Sequence, residues 1–204
     1  MSTLLLIQSS LSGEGGQSSQ LASRFVKQWA EKNPGGRIVT RNLSADPVPH
    51  LTADRFQAFN TPADARTAEQ KAAVAYSDAL IDELKSADVI VFAVPTYNFS
   101  IPSVLRAYFD HVARAGVTFQ YDSNGPRGLI TGKKAYVFIT RGGILPEGAD
   151  TQTPYLRQFL GFIGIKDVEV VYAQGLHMGE EAREKSLDTA RHSIAKLLPA
   201  LEAA

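Results

Sequence analysis

The sequence predicts an α/β fold: a doubly wound, five-stranded parallel sheet in the order 2-1-3-4-5, with helices on both faces. Three observations predict it. Strand-like apolar runs alternate with helix-period stripes along the chain. The central runs are apolar almost without interruption, as strands covered on both faces must be. No repeat, low-complexity tract or linker divides the chain, so residues 1–204 are expected to form one domain.

The first strand is the run TLLLIQ, residues 3–8. A helix follows, because Leu21, Ala22, Phe25, Val26, Trp29 and Ala30 recur at helical spacing and Asn33-Pro34-Gly35-Gly36 stops it. Residues 37–42 (RIVTRN) alternate and suit a strand nearer an edge. Residues 44–66 are a polar excursion containing Pro47, Pro49 and Pro62. Residues 67–85 carry Ala68, Ala72, Tyr76, Leu80 and Leu84 at steps of four, the spacing of a second helix. Residues 88–94 (DVIVFAV) are β-branched and form the most buried strand by composition. A helix over 101–114 places Val104, Leu105, Tyr108, Phe109 and Val112 on one side. Strand 133–140, helix 153–163 and strand 167–173 follow, and Leu187, Ala190, Ile194, Leu198 and Leu201 stripe a last helix.

Composition narrows the function. The 21 basic residues balance the 21 acidic ones, so the charge footprint of a nucleic-acid binder is missing. No apolar run approaches the roughly 18 residues that span a bilayer, and the N-terminus lacks the basic region of a secretory signal. The expected location is the cytoplasm, with neither nucleic acid nor membrane as partner. The chain has no cysteine, which removes thiol nucleophiles, CxxC redox pairs, iron–sulfur clusters and cysteine zinc sites. Redox chemistry would then rest on a bound cofactor. His50, His111, His177 and His192 show no metal-binding spacing, so no metal is expected, and no GxSxG elbow is present.

In such a sheet, ligands sit beyond the carboxyl ends of the strands, where strand order switches. The loops after Gln8, Val94, Thr140 and Ala173 therefore matter most. The first, from Ser9 to Ser19, is rich in glycine and hydroxyls and runs into a helix whose free amides suit a phosphate. Its first basic residue is Arg24 and it contains Glu14, which favours one phosphate monoester over a triphosphate. Two other readings stand beside this one. Gly13, Gly15 and Ser18 make a partial GxGxxG, with Arg41 suited to a 2′-phosphate. Alternatively, Ser18 or Ser19 merely caps the helix.

The second loop, Pro95-Thr96-Tyr97-Asn98-Phe99-Ser100-Ile101-Pro102, sets two aromatics around an asparagine between prolines, a surface for a planar ring. The loop Thr140-Arg141-Gly142-Gly143 lets backbone amides come close and offers donors to negative charge on a reduced ring. Phe99 as a core plug and Gly142-Gly143 as a turn are the plainer alternatives. Arg106 and Arg114 read as solvated or interface charges, His111 and His192 as surface residues, and His177 as a rim contact.

Five blocks in order resemble the FMN-dependent NAD(P)H:quinone oxidoreductase and azoreductase family of flavodoxin-like proteins. They are Ser9-Ser10 with Gln17-Ser18, PxYNFxIP over 95–102, RAGVTFxY over 114–121, TRGG over 140–143 and FLGFIGI over 159–165. The resemblance implies FMN held at its phosphate by Ser10 and the Gly16-Gln17-Ser18 loop. It implies that Pro95, Thr96, Tyr97, Asn98 and Phe99, with Thr140, Arg141, Gly142 and Gly143, flank the isoalloxazine. It further implies hydride transfer from NADH or NADPH through FMN to quinones and azo compounds, by a ping-pong mechanism in one shared pocket with no catalytic side chain. A homodimer is implied, with Phe119, Tyr121 and Phe162 forming an apolar wall over substrate and Phe159 serving as core. The chain departs from the family at Thr96, often methionine, at Gly16, often serine, and at residues 144–147, where some members have a longer insertion and a histidine. The alternative function is a flavin-binding electron carrier or redox-responsive module without catalysis, against which zero net charge argues.

Overall fold

Residues 2–198 are described by a computed structural model. Strands β1 (Thr3–Gln8), β2 (Arg37–Asn42), β3 (Val89–Pro95), β6 (Lys134–Thr140) and β7 (Asp167–Ala173) form one parallel sheet in the order β2-β1-β3-β6-β7. This is the predicted order. The β-branched run of β3 lies at its centre, buried from Ile90 to Pro95.

Alternation along the strands divides the core. Leu5, Ile7, Ile90, Phe92, Val137 and Ile139 face α3 (Ala68–Ser86), α4 (Ser103–Val112) and α5 (Gln152–Ile163). Leu4, Leu6, Val91, Phe138 and Val171 face α1 (Gln17–Lys32) and α6 (Glu180–Leu197). Helix α3 starts at the Thr67 capping box: the Thr67 side chain accepts from the Gln70 amide at 3.3 Å, and the Gln70 side chain from the Thr67 amide at 3.1 Å. Leu201, placed in the last helix stripe, lies outside the described residues.

Two elements are not in the sequence reading. The polar excursion contains α2 (Ala53–Asn60), capped by Thr52, with Ala58 as its one buried residue. One buried position leaves no stripe to read. The second is a hairpin between α4 and β6, formed by β4 (Phe119–Asp122) and β5 (Gly125–Gly128). Asn124-Gly125 is the local signal that marks it, with the Asn124 amide donating to the Asp122 carboxylate at 2.7 Å.

Helix α2 also overturns two surface assignments. His111 is fully buried, between the edges of Phe59 and Tyr76. Burial lowers its pKa. Arg114 is buried too, ion-paired with Asp78, hydrogen-bonded to Ser77, and under the Phe59 ring. Phe59 belongs to α2, so the side of α4 that reads as polar is roofed by an element the sequence pattern does not announce. Phe159 stacks on buried Phe109 at 4.1 Å, which fits its reading as core.

Candidate functional site

The carboxyl ends of β1, β3, β6 and β7 open on one cavity of about 370 Å³, into which all four of the expected loops converge. Ser10, Gly16, Gln17, Pro95, Thr96, Tyr97, Thr140, Arg141 and Gly142 all line it.

The first loop reaches the cavity through a short 3-10 turn, Gly13–Gly15, and then α1. The N-cap of α1 is Gly16, which has no side chain to bond the first-turn amides. The amides of Gln17 and Ser18 therefore stay available, while the hydroxyls of Ser18 and Ser19 are fully buried with no partner. The capping reading of these serines fails, because both sit inside the helix. Open amides beside unpartnered buried hydroxyls fit a phosphate better than they fit an ordinary loop.

Gly16 is packed so closely that a Cβ there would lie 2.1 Å from Ser10 Oγ. Ser10 Oγ in turn accepts from the Ser12 amide at 3.3 Å. Gly16→Ala is expected to cost about 1 kcal/mol and to weaken anion binding several-fold, because it turns Ser10 out of place. The double variant S10A/G16A should recover only part of the stability, because the Ser10 Cβ, which alanine keeps, would stand 2.7 Å from the added Cβ, and it should not recover the binding. Urea melts and phosphate-dependent ligand affinity would check both halves.

The second loop is a two-residue turn closed by Tyr97 N–H to Ser100 O at 3.0 Å and Ser100 N–H to Tyr97 O at 2.9 Å. Both central residues are left-handed, Asn98 at φ 48° and Phe99 at φ 62°. Asparagine tolerates this; phenylalanine is strained there by about 1–3 kcal/mol. Phe99 is 77% exposed, so it is no core plug. The Leu11 amide donates to the Tyr97 hydroxyl at 3.1 Å, tying the first loop to the second.

Gln152, 2% exposed at the start of α5, joins the second loop to the loop after β6. Its side-chain oxygen accepts from the Thr96 hydroxyl and from Arg141 Nε at 3.3 Å, and its amide nitrogen donates to Ser100 O at 3.1 Å. Arg141 is turned to this scaffold: its guanidinium pairs with Asp150 and bonds Gln174 Oε1 at 3.3 Å. The amide of Arg141 donates to Ala173 O at 2.9 Å. Arg141 thus shapes the wall, and neither its amide nor its guanidinium is free for a ligand. The amides of Gly142 and Gly143 have no partner among the described residues and remain as donors.

Burial works against the Asp150 carboxylate, but the Arg141 guanidinium and the Thr153 hydroxyl and amide outweigh it and hold its pKa at about 2. A carboxylate depressed on folding stabilises the protein above its unfolded pKa, and that contribution is lost as pH falls through the folded value. Wild type is therefore expected to lose about 2 kcal/mol between pH 4 and pH 2 that Asp150→Asn, already less stable at neutral pH, does not lose. Urea midpoints of the two proteins across that range would check it.

The remaining expected residues fall elsewhere. Asn98 lines an adjoining cavity of about 700 Å³ that shares Thr96 and Tyr97 and includes His50 of the excursion. Ser18 sits behind the cavity wall, and Gly143 is exposed beside it. Arg41 is taken by Glu83 at 2.6 Å and by Asp46, so it is not a free 2′-phosphate ligand.

Phe119, Tyr121 and Phe162 do not wall the cavity of their own chain. Helix α5 starts at the mouth and runs 12 residues, about 18 Å, to the opposite end of the sheet. There the Ile130 amide bonds Ile163 O at 2.8 Å, and Phe119 meets Phe162 at 4.3 Å. His177 does line the mouth, as a rim contact should. Ser12, Gly15, Leu176 and Arg183 line it as well, and Gln152 supports it; none of these was among the expected site residues. The loop after Ala173 pointed toward Leu176 and Arg183, but nothing in residue type marked them out. Among the described residues no His, Asp or Glu cluster is fit to hold a metal, and no helix is long and apolar enough to cross a membrane.

Sheet order and a cavity at its switch point define a flavodoxin-like protein, and a family model described as a flavodoxin-like fold matches residues 2–198. The chain is 53% identical over 195 residues to a protein of Cellvibrio japonicus named FMN-dependent NADH:quinone oxidoreductase, covering 95% of this chain and 97% of that one. A Burkholderia pseudomallei protein of the same name is 53% identical over 196 residues, covering 96% and 99%. The solved azoreductase of Bacillus anthracis superposes with a TM-score of 0.89 at 28% identity, covering 97% of this chain and 98% of that one. The chain belongs to the family of FMN-dependent NADH:quinone oxidoreductases and azoreductases.

Proposed function

We propose that this protein is an enzyme of the cytoplasm that binds FMN in the 370 Å³ mouth and reduces quinones and aromatic azo compounds with NADH or NADPH. The carrying observation is the uncapped start of α1, whose open amides lie at the mouth beside Ser10, Gly16 and Gln17. When bound, FMN supplies two-electron hydride chemistry, from nicotinamide donor to acceptor in a ping-pong sequence.

The chain supplies position. Ser10, Gly16, Gln17 and Ser18 hold the phosphate monoester, through backbone donors, the Ser10 hydroxyl and the positive end of α1. Pro95, Thr96, Tyr97 and Asn98 line one side of the ring site, while the free amides of Gly142 and Gly143 offer hydrogen bonds to developing negative charge. No side chain in the mouth is needed as a proton donor. Residues 1–204 act as one domain.

Among the described residues Tyr97 is the one Phe, Tyr or Trp that lines the mouth of a single chain. In our reading a homodimer, the commonest symmetry being two-fold, places Phe119, Tyr121 and Phe162 of each subunit over the mouth of the other. Phe119→Ala with Phe162→Ala should then raise the KM for a hydrophobic quinone about tenfold or more while leaving FMN affinity within twofold. Equal loss of both would mean that these rings only hold the fold.

The deciding experiment is anaerobic titration of FMN-reconstituted protein with NADH, following flavin absorbance. Full bleaching by one equivalent and recovery on adding a quinone are expected. Bound flavin that ignores both NADH and NADPH would instead make the protein a carrier, and failure to bind FMN would refute the reading of the mouth.

A further inference from the structure

A phosphate monoester carries close to two negative charges near neutral pH, and the first loop brings no cation to meet them. Its one charged residue is Glu14, exposed and of the wrong sign. Arg141 lines the cavity but is spent on Asp150, Gln152 and Gln174.

Arg183 lines the same cavity as Ser10, Gly15, Gly16 and Gln17. It comes from the first turn of α6, where its amide donates to Gly179 O at 3.0 Å. Its guanidinium makes no hydrogen bond or ion pair among the described residues, although Glu180, Glu181 and Glu184 share its helix. The fold delivers it there by a backbone zipper. Gly175, Leu176 and His177 donate to the carbonyls of Gly143, Arg141 and Gly142 at 3.0, 3.1 and 2.9 Å. The His177 ring lies so close to Gly142 that a Cβ on Gly142 would stand 2.7 Å from its Nδ1. The ring-side loop and the start of α6 are therefore held as one wall of the mouth.

We propose that Arg183 is the counter-ion of the cofactor phosphate, a binding residue supplied to the first loop from the far end of the chain. The proposal rests on the FMN reading of the mouth. It accounts for a phosphate site built without a basic residue in its own loop. Arginine suits the role, since its planar fork donates to two phosphate oxygens at once.

The test compares FMN with riboflavin, which lacks the phosphate, by quenching of flavin fluorescence in wild type, Arg183→Gln and Arg183→Lys. Wild type is expected to prefer FMN. R183Q should weaken FMN binding about tenfold to a hundredfold, leave riboflavin within twofold, and flatten the salt dependence of the FMN affinity. R183K, which keeps the charge but loses the fork, should fall between. Unchanged FMN affinity in R183Q, or equal weakening of both flavins, would overturn the assignment while leaving FMN binding intact. A raised KM for NADH with unaltered flavin binding would also overturn it, and would place Arg183 against the donor. Wild type that binds neither flavin, or does not distinguish them, would fail the reading of the mouth itself.

Discussion

Gly128→Ala is expected to destabilise the protein by about 3 kcal/mol or more, lowering Tm by about 10 °C. A Cβ at this position would stand 2.1 Å from Gly164 N and 2.3 Å from Ile163 C, both backbone atoms that no rotamer change can move. Gly164 is itself left-handed, φ 111°, and ends α5, so the two glycines let β5 lie directly on the helix terminus. Gly128 is also the partner of Phe119 across the hairpin, and Phe119 rests on Phe162. The substitution should therefore disturb the aromatic cluster as well as the fold. Thermal melting and urea unfolding would measure the first effect, near-ultraviolet circular dichroism the second. A Tm within about 2 °C of wild type would mean that the hairpin slides off the helix end without cost.

Gln152→Leu should cost about 3 kcal/mol and lower FMN affinity at least tenfold. Leucine has similar volume, so the loss is of hydrogen bonds and not of contact. It leaves the Thr96 hydroxyl without its partner at a site only 2% exposed, and takes from Ser100 O one of its two donors, the Tyr97 amide remaining. Arg141 keeps Asp150 and Gln174, so its charge is not orphaned. What is lost is the side-chain tie between the Thr96–Ser100 turn and the wall after β6; the Thr96 amide still donates to Thr140 O at 2.8 Å and the Thr151 hydroxyl to Phe99 O, so the strained Asn98 and Phe99 are held less firmly. Gln152→Glu provides the contrast: it keeps the acceptors but puts an oxygen against the Ser100 carbonyl and a second carboxylate beside Asp150. Urea midpoints with and without FMN would separate stability from binding. A variant of wild-type stability that binds FMN normally would show that the three loops hold their positions independently.

The strands were readable because burial on both faces demands unbroken apolar runs, and β3 offers one from Val89 to Val94. The long helices were readable because each puts one stripe on the sheet. Helix α2 escaped because its single buried residue, Ala58, makes no period. The β4–β5 hairpin escaped for a related reason: its strands are mostly exposed, and only Asn124-Gly125 betrays it. His111 and Arg114 were misjudged because their roof, Phe59, lies on that same unannounced helix.

Within the site, the division follows the range of the interactions. Phosphate loop, aromatic turn and glycine pair are local features, so residue type and order along the chain were enough to find them and to indicate where a parallel sheet would gather them. Gln152, His177 and Arg183 come into the site only through contacts between segments far apart in sequence. The place of His177 in the loop after β7 marked it as a rim contact, whereas nothing in the neighbourhoods of Gln152 and Arg183 along the chain distinguishes them from other polar residues. The positions of Phe119, Tyr121 and Phe162 were decided in the same way: the length of α5 carries Phe162 to the end of the sheet away from the mouth, where Phe119 of β4 packs on it and Tyr121 on Phe119. Periodicity and loop composition, which depend on near neighbours, determined the sheet, its order and the loops that gather at the mouth. Which charges are spent, which hydroxyls are buried without a partner and which aromatics lie away from the mouth depend on packing between distant segments, and only the tertiary structure decided them.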